Sequence, residues 1–164
     1  MSKRSTYIIL IIAILGVIGL YYYNKYRVAP VLQIPALDVV SDDGNPFTIS
    51  SLKGKKVIIS FYASWCPPCR EELKVLSKIK NDKLSDIEIL AITDEGIDKM
   101  IAFRNGKQYP FTFLTLKAPF STIGINSIPV TYLLNTNGEI VYNNVGYIDW
   151  EDESTLSHLK ALMD

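Results

Sequence analysis

The sequence predicts an α/β domain that opens on a β-hairpin and is carried behind one N-terminal transmembrane helix. Three observations predict it: an uncharged apolar run near the N-terminus, a strand, helix, strand succession in mid-chain, and a second hairpin pattern towards the end. Of the 164 residues, about 130 follow the apolar run, enough for one domain with a real core and too few for two ordinary ones.

Residues 5–24 carry no charge and are dominated by Ile, Leu, Val, Ala and Gly. Twenty helical residues rising ~1.5 Å each reach roughly 30 Å, one hydrocarbon core. Tyr21, Tyr22 and Tyr23 fall where such a span leaves the lipid, a position that suits tyrosine's amphipathic ring. An uncleaved anchor is preferred to a cleaved secretory signal because no Ala-x-Ala site follows the run. Lys3 and Arg4 precede the span and Lys25 and Arg27 follow it, so only the terminal amine tips the orientation. Either reading exports the domain, to the periplasm or cell exterior. The expected division is residues 1–27 as anchor, 28–35 as an extended, proline-containing tether, and 36–164 as the domain.

The net charge of zero conceals a split. With four basic residues flanking the span, the remainder carries thirteen against seventeen acidic ones, about −4. Binding nucleic acid needs clustered Lys and Arg to neutralise phosphates, so that class is excluded.

Residues 37–40, the turn residues Asp42, Asp43, Gly44 and Asn45, and residues 47–49 predict the first hairpin. Residues 57–62 (VIISFY) form a continuous β-branched and aromatic run, the pattern of a strand covered on both faces. A helix is expected over 67–84, with Leu73, Leu76 and Ile79 recurring at threes, then a buried strand at 87–93, making a right-handed βαβ unit. A weaker helix is expected at 97–106, a strand at 111–116 and a turn of helix at 118–124. Residues 130–134 and 139–145 flank Asn135-Thr136-Asn137-Gly138 as another hairpin, and an amphipathic helix closes the chain at 151–162.

Cys66-Pro67-Pro68-Cys69 lies where the central strand ends and the helix begins. A helix start leaves N–H groups unpaired and presents a positive dipole end, and both favour a thiolate. Cys66 is expected as an exposed N-cap, with Pro67 at the first helical position, where proline's fixed φ fits. Pro68 removes a second N–H, which leaves Cys69 and later residues as donors and tempers the activation. Cys66 and Cys69 can then alternate between dithiol and disulfide. A structural zinc site needs four ligands, and only His158 remains. Covalent haem needs His where Arg70 stands. A purely structural clip across two residues closes almost no loop entropy.

The segments SFYASWCPPCREEL, SIPVTYLLNTNGEIVYNNVG and PALDVVSDDGNPFTISSLKGK resemble the thioredoxin superfamily, and within it the TlpA/ResA-like membrane-tethered thiol–disulfide oxidoreductases, across residues 30 to 164. The resemblance implies a thioredoxin-like mixed sheet flanked by helices, with Cys66 as nucleophile and Cys69 as resolving residue. It maps the family's cis-proline onto Pro129, so that Ile128 presents its backbone to an extended substrate. Ser60 stands where thioredoxin has a strand aspartate. Glu72 matches the branch's glutamate three residues after the second cysteine, and a half-buried carboxylate there could relay a proton to Cys69. Trp65 is expected to cover the disulfide and shape the substrate surface, whereas Trp150, Met100 and Met163 read as packing and Glu71 as a surface residue.

The implied activity is reduction of disulfides in exported proteins, apocytochrome cysteines among them, drawing on a membrane thiol electron donor and no cofactor. A disulfide-forming oxidase and a non-catalytic client-holding module are the alternatives. A peroxidase is disfavoured because Ala63 occupies the position where that chemistry wants Thr.

Overall fold

The computed structural model describes residues 3–164; Met1, whose amine entered the orientation argument, lies outside the described residues. The first element is a long helix, α1 (Lys3–Arg27). Its Tyr7–Arg27 portion is long and apolar enough to cross a membrane, and none of that window is buried against the rest of the chain.

Seven strands form one mixed sheet: β1 (Val39–Val40), β2 (Pro46–Phe47), β3 (Lys56–Phe61), β4 (Ile87–Thr93), β5 (Thr112–Leu116), β6 (Val130–Leu134) and β7 (Ile140–Val145), in the order β2-β1-β5-β4-β3-β6-β7. β3, β4 and β5 run parallel, while β6 pairs antiparallel to β3 and β1 antiparallel to β5. β3 is interior, and its apolar run divides between two cores. Ile58 faces one; Val57, Ile59 and Phe61 face the other. That division is why the strand has no polar face.

The first core lies beneath α2 (Pro67–Ile79), α3 (Ile97–Asn105) and α4 (Glu153–Leu162), which insert Leu73, Leu76, Met100, Leu156 and Leu159. α2 stops five residues earlier than the apolar spacing suggested. Lys83 and Leu84 both donate their N–H to the Ile79 carbonyl, at 2.8 and 3.2 Å, and Leu84 is buried beneath that turn rather than on a further helical turn. α4 starts two residues later than expected because Asp152 is its N-cap, accepting from the Thr155 N–H at 2.8 Å. The β6–β7 turn is held by Asn135, whose Oδ1 accepts from the N–H groups of Asn137 and Glu139, both at 3.0 Å, with Gly138 supplying the positive φ of 82°.

The second core has no α-helix over it. It is closed by short 3-10 turns and by the segment after α1. Residues 28–35, expected as a tether, are docked: Ala29, Leu32 and Ile34 are buried with Ile59, Phe61, Leu90, Ile92 and Tyr132. The Tyr132 hydroxyl donates to the Pro30 carbonyl at 2.6 Å. Pro30 also rests on Gly124, where a Cβ would come within 3.1 Å of the proline's own and where φ is +81°. Leu32→Ala should therefore lower the unfolding free energy by about 2–5 kcal/mol in a urea titration. A free tether would leave it within ~0.5 kcal/mol of the parent.

Candidate active site

β3 and β4 end side by side, and the loops that leave them meet. Tyr62 continues the pairing through its N–H to the Ile92 carbonyl at 2.9 Å. Two residues on, Ser64 is gripped by Glu95 from the far side of β4: its N–H and Oγ donate to the two carboxylate oxygens at 2.5 and 2.9 Å. That grip fixes the approach to Cys66, whose N–H returns to the Ala63 carbonyl at 3.1 Å.

Cys66 is the N-cap of α2, with Pro67 and Pro68 filling the first two helical positions. The two cysteines form a disulfide with 5.3 Å between their Cα atoms. Cys66 Sγ accepts from the Cys69 N–H at 3.3 Å, the first amide available once two prolines have removed theirs. The expected exposure of Cys66 is not what the fold shows: it is only 3% exposed and Cys69 is fully buried. The reason lies in the opposite loop, which carries the cis Ile128–Pro129 peptide and brings the Ile128 carbonyl oxygen to 4.0 Å from Cys66 Sγ. Access is through a largely apolar groove of about 460 Å³, lined by Trp65, Cys66, Pro67, Pro68, Phe120 and Ile128 among others. Trp65, expected to cover the disulfide, is instead 71% exposed at the side of that groove.

Behind the cysteines lies Glu72, fully buried on the sheet-facing side of α2, one helical turn after Cys69. Its Oε1 accepts from Trp150 Nε1 at 3.0 Å and Thr131 Oγ1 at 3.3 Å, while its Oε2 and the nearby strand residue's Ser60 Oγ are buried without a partner among the described residues. Burial pushes the carboxyl up to about 7, and the hydrogen bonds from Trp150 and Thr131, with the Ile148 backbone, hold it from going further. A carboxyl poised there can hold or release a proton near neutral pH. Glu71 is an outward-facing residue paired with Lys74 at 3.2 Å.

Trp150 is therefore more than packing: it donates one of the two side-chain hydrogen bonds that favour the ionised Glu72. Trp150→Phe should raise the Glu72 pKa by about one to two pH units, since a hydrogen bond to a charged group contributes about 1.5–3 kcal/mol. An infrared titration of the buried carboxyl checks this, and an unmoved midpoint would mean that the Trp150 hydrogen bond does not help to set it. No local pattern announces Trp150 or Glu95, whose partners stand 78 and 31 residues away.

The Redoxin family profile matches residues 30–161. The chain is 30% identical to the thioredoxin-like protein YneN of Bacillus subtilis over 156 residues, covering 89% of this chain and 92% of that one. It is 26% identical to the thiol-disulfide oxidoreductase ResA of the same organism, covering 84% and 80% of the two. Among solved structures it is similar in fold to a thiol:disulfide interchange protein of Chlorobium tepidum (TM-score 0.62, 24% identity, 83% of this chain and all of that one). It is likewise similar to StoA of Bacillus subtilis (TM-score 0.58, 22% identity, 79% and 99%). With a redox-competent cysteine pair at a helix start, in this fold and with these relatives, the chain belongs to the Redoxin family and is a TlpA/ResA-like protein thiol–disulfide oxidoreductase of the thioredoxin superfamily.

Proposed function

We propose that this oxidoreductase is anchored by residues 1–27, faces the periplasm or cell exterior, and reduces disulfides of exported proteins. The observation that carries the reading is the Cys66–Cys69 pair at the floor of an apolar groove, beside the backbone of Ile128. In that arrangement an extended client segment lies against Ile128 and its disulfide meets Cys66. The Cys66 thiolate attacks one client sulfur, the Cys66–client bond forms, and the other client sulfur leaves as a thiolate. Cys69 then attacks Cys66 Sγ, closing the intramolecular disulfide and releasing the second client thiolate. Two electrons pass to the client, and the oxidised pair is reset by a membrane thiol donor. Cysteine pairs of apocytochromes are clients of the kind this chemistry serves.

Trp65 and Phe120 supply the apolar walls, Pro67 and Pro68 limit the donors that favour the Cys66 thiolate, and Glu72 handles the Cys69 proton. The experiment is insulin reduction by the detergent-solubilised full chain with dithiothreitol as electron source, paired with a reporter fused after Asp164. The reading expects insulin to precipitate faster than with dithiothreitol alone and the reporter to register outside the cytoplasm. An inert protein would favour client holding without catalysis, and a cytoplasmic reporter would end the export assignment.

A further inference from the structure

The last turn of α1 touches the active-site loop. Ser127 Oγ donates to the Tyr26 carbonyl at 2.7 Å, and the next residue, Ile128, is the one whose carbonyl lies 4.0 Å from Cys66 Sγ. A second cavity of about 270 Å³, lined by Tyr26, Arg27, Ser127, Ile128, Val145 and Gly146, shares Ser127 and Ile128 with the disulfide groove. The two cavities thus adjoin at Ser127 and Ile128, one reaching Trp65 and Cys66 and the other the end of α1.

That continuity limits how high the disulfide can stand above a bilayer. Two contacts and one residue step separate the Tyr26 carbonyl from Cys66 Sγ, about 15 Å at most in any direction. Tyr26 itself lies three residues beyond Tyr23, ~4.5 Å further along the helix from the tyrosines that suit the lipid edge. A headgroup layer occupies roughly 5–8 Å of that height. A domain of this size is about 35 Å across, so the disulfide belongs to its membrane-proximal half. The junction also resists reorientation, because Ala29, Leu32 and Ile34 are buried in the core immediately after the helix.

We infer that the anchor is a wall of the redox groove, and that the partner taken there is a protein cysteine held close to the membrane surface, in a short extended segment lying between Ile128 and Tyr26–Arg27. This rests on the oxidoreductase reading above and names the class of partner it serves. A cysteine presented far above the headgroups would have to bend back to enter, whereas one a few residues from its own membrane attachment enters directly.

The test uses the full chain carrying Cys69→Ser, reconstituted in phosphatidylcholine vesicles. The probes share one cysteine-containing sequence, the cysteine being protected as a mixed disulfide with thionitrobenzoate. One peptide is free; two are coupled to a phospholipid, with the cysteine about four or about twenty residues from the lipid. Attack by the Cys66 thiolate forms the Cys66–peptide disulfide and expels thionitrobenzoate, whose colour gives the rate.

The short lipid-coupled peptide is expected to react at least as fast as the long one. Inserting twelve Gly/Ser residues between Arg27 and Val28 leaves the buried residues of the junction in place but frees the helix. It should reverse that order by tenfold or more, a ratio in which any loss common to all three peptides on removal of the Tyr26–Arg27 wall cancels, and continued reaction of the free peptide controls for folding. A short peptide that reacts tenfold slower than the long one in the parent chain, or an order that the insertion does not alter, would overturn the inference while leaving the oxidoreductase reading standing. Failure of all three peptides to react would remove that reading and the inference together.

Discussion

Cys69→Ser is expected to accumulate a mixed disulfide between Cys66 and its client, while Cys66→Ser should form none. The two sulfurs are not equivalent in the fold. Cys66 borders the groove and accepts the Cys69 N–H, whereas Cys69 lies fully buried one turn inward. A client sulfur can reach only the former, and only the latter is placed to displace the client from it. Without Cys69 the intermediate has no intramolecular exit, so its lifetime passes from transient to stable on the timescale of a non-reducing gel. Alkylation of the reduced parent at neutral pH should modify Cys66 first. Faster labelling of Cys69, or mixed disulfides surviving in Cys66→Ser, would reverse the roles.

Glu72→Gln should slow release of the client from Cys66 by about 100-fold or more, the usual contribution of a positioned acid or base. Cys69 must lose its proton before it can attack, in a pocket with no solvent access, and the Glu72 carboxylate on the same helix face is placed to receive it. With a carboxyl that titrates at about 7, the parent's resolution rate rises with pH through neutrality. The variant has no such rise and gains rate only where the thiol itself ionises.

Stability moves in the opposite sense, which separates the chemistry from a folding defect. Because the folded pKa lies above the ordinary 4.5, the native state binds more protons than the unfolded one between the two values. Stability is therefore full below about 4.5 and falls as pH rises through about 7, by about 3 kcal/mol in all. Glutamine carries no such dependence. The variant should match the parent in urea at pH 4 and exceed it at pH 8, even as it turns over more slowly. Equal midpoints at both pH values would mean that Glu72 is not held in the protonated form by burial.

What the sequence made legible was what short-range physics controls. The run of residues 57–62 announced an interior strand because both faces of β3 are buried. Cys66 was readable as an N-cap because a proline at N1 and a polarisable side chain before it are local requirements of a helix start. The inward side of Glu72 followed from its place one turn after Cys69, but its depth did not: the expected half-buried carboxylate is fully buried, beneath Trp150 and Thr131 from distant parts of the chain. The features that escaped depend on partners distant in the chain. Nothing near Trp150 announces that its N–H reaches a carboxyl on α2, and nothing in residues 28–35 announces that they cover the sheet, since two prolines in a short extended stretch fit a linker equally well. The end of α2 was overrun because Leu84 continues the apolar pattern while serving a turn.

The docking of residues 29–34 also dictates an order of assembly. Pro30 meets Tyr132 across 102 residues and Tyr26 meets Ser127 across 101. Loop-closure entropy of that length is recovered only after β3, β4 and β6 have come together, because the surface that receives the segment is built from their side chains. The first domain residues to be synthesised are thus among the last to find their places. Until they do, Ile59, Phe61, Leu90 and Ile92 present a bare apolar stripe, and the segment that will cover it is fixed at one end to α1. On the anchoring proposed above, folding finishes beside the lipid, with the membrane attachment keeping the missing piece of the core within reach.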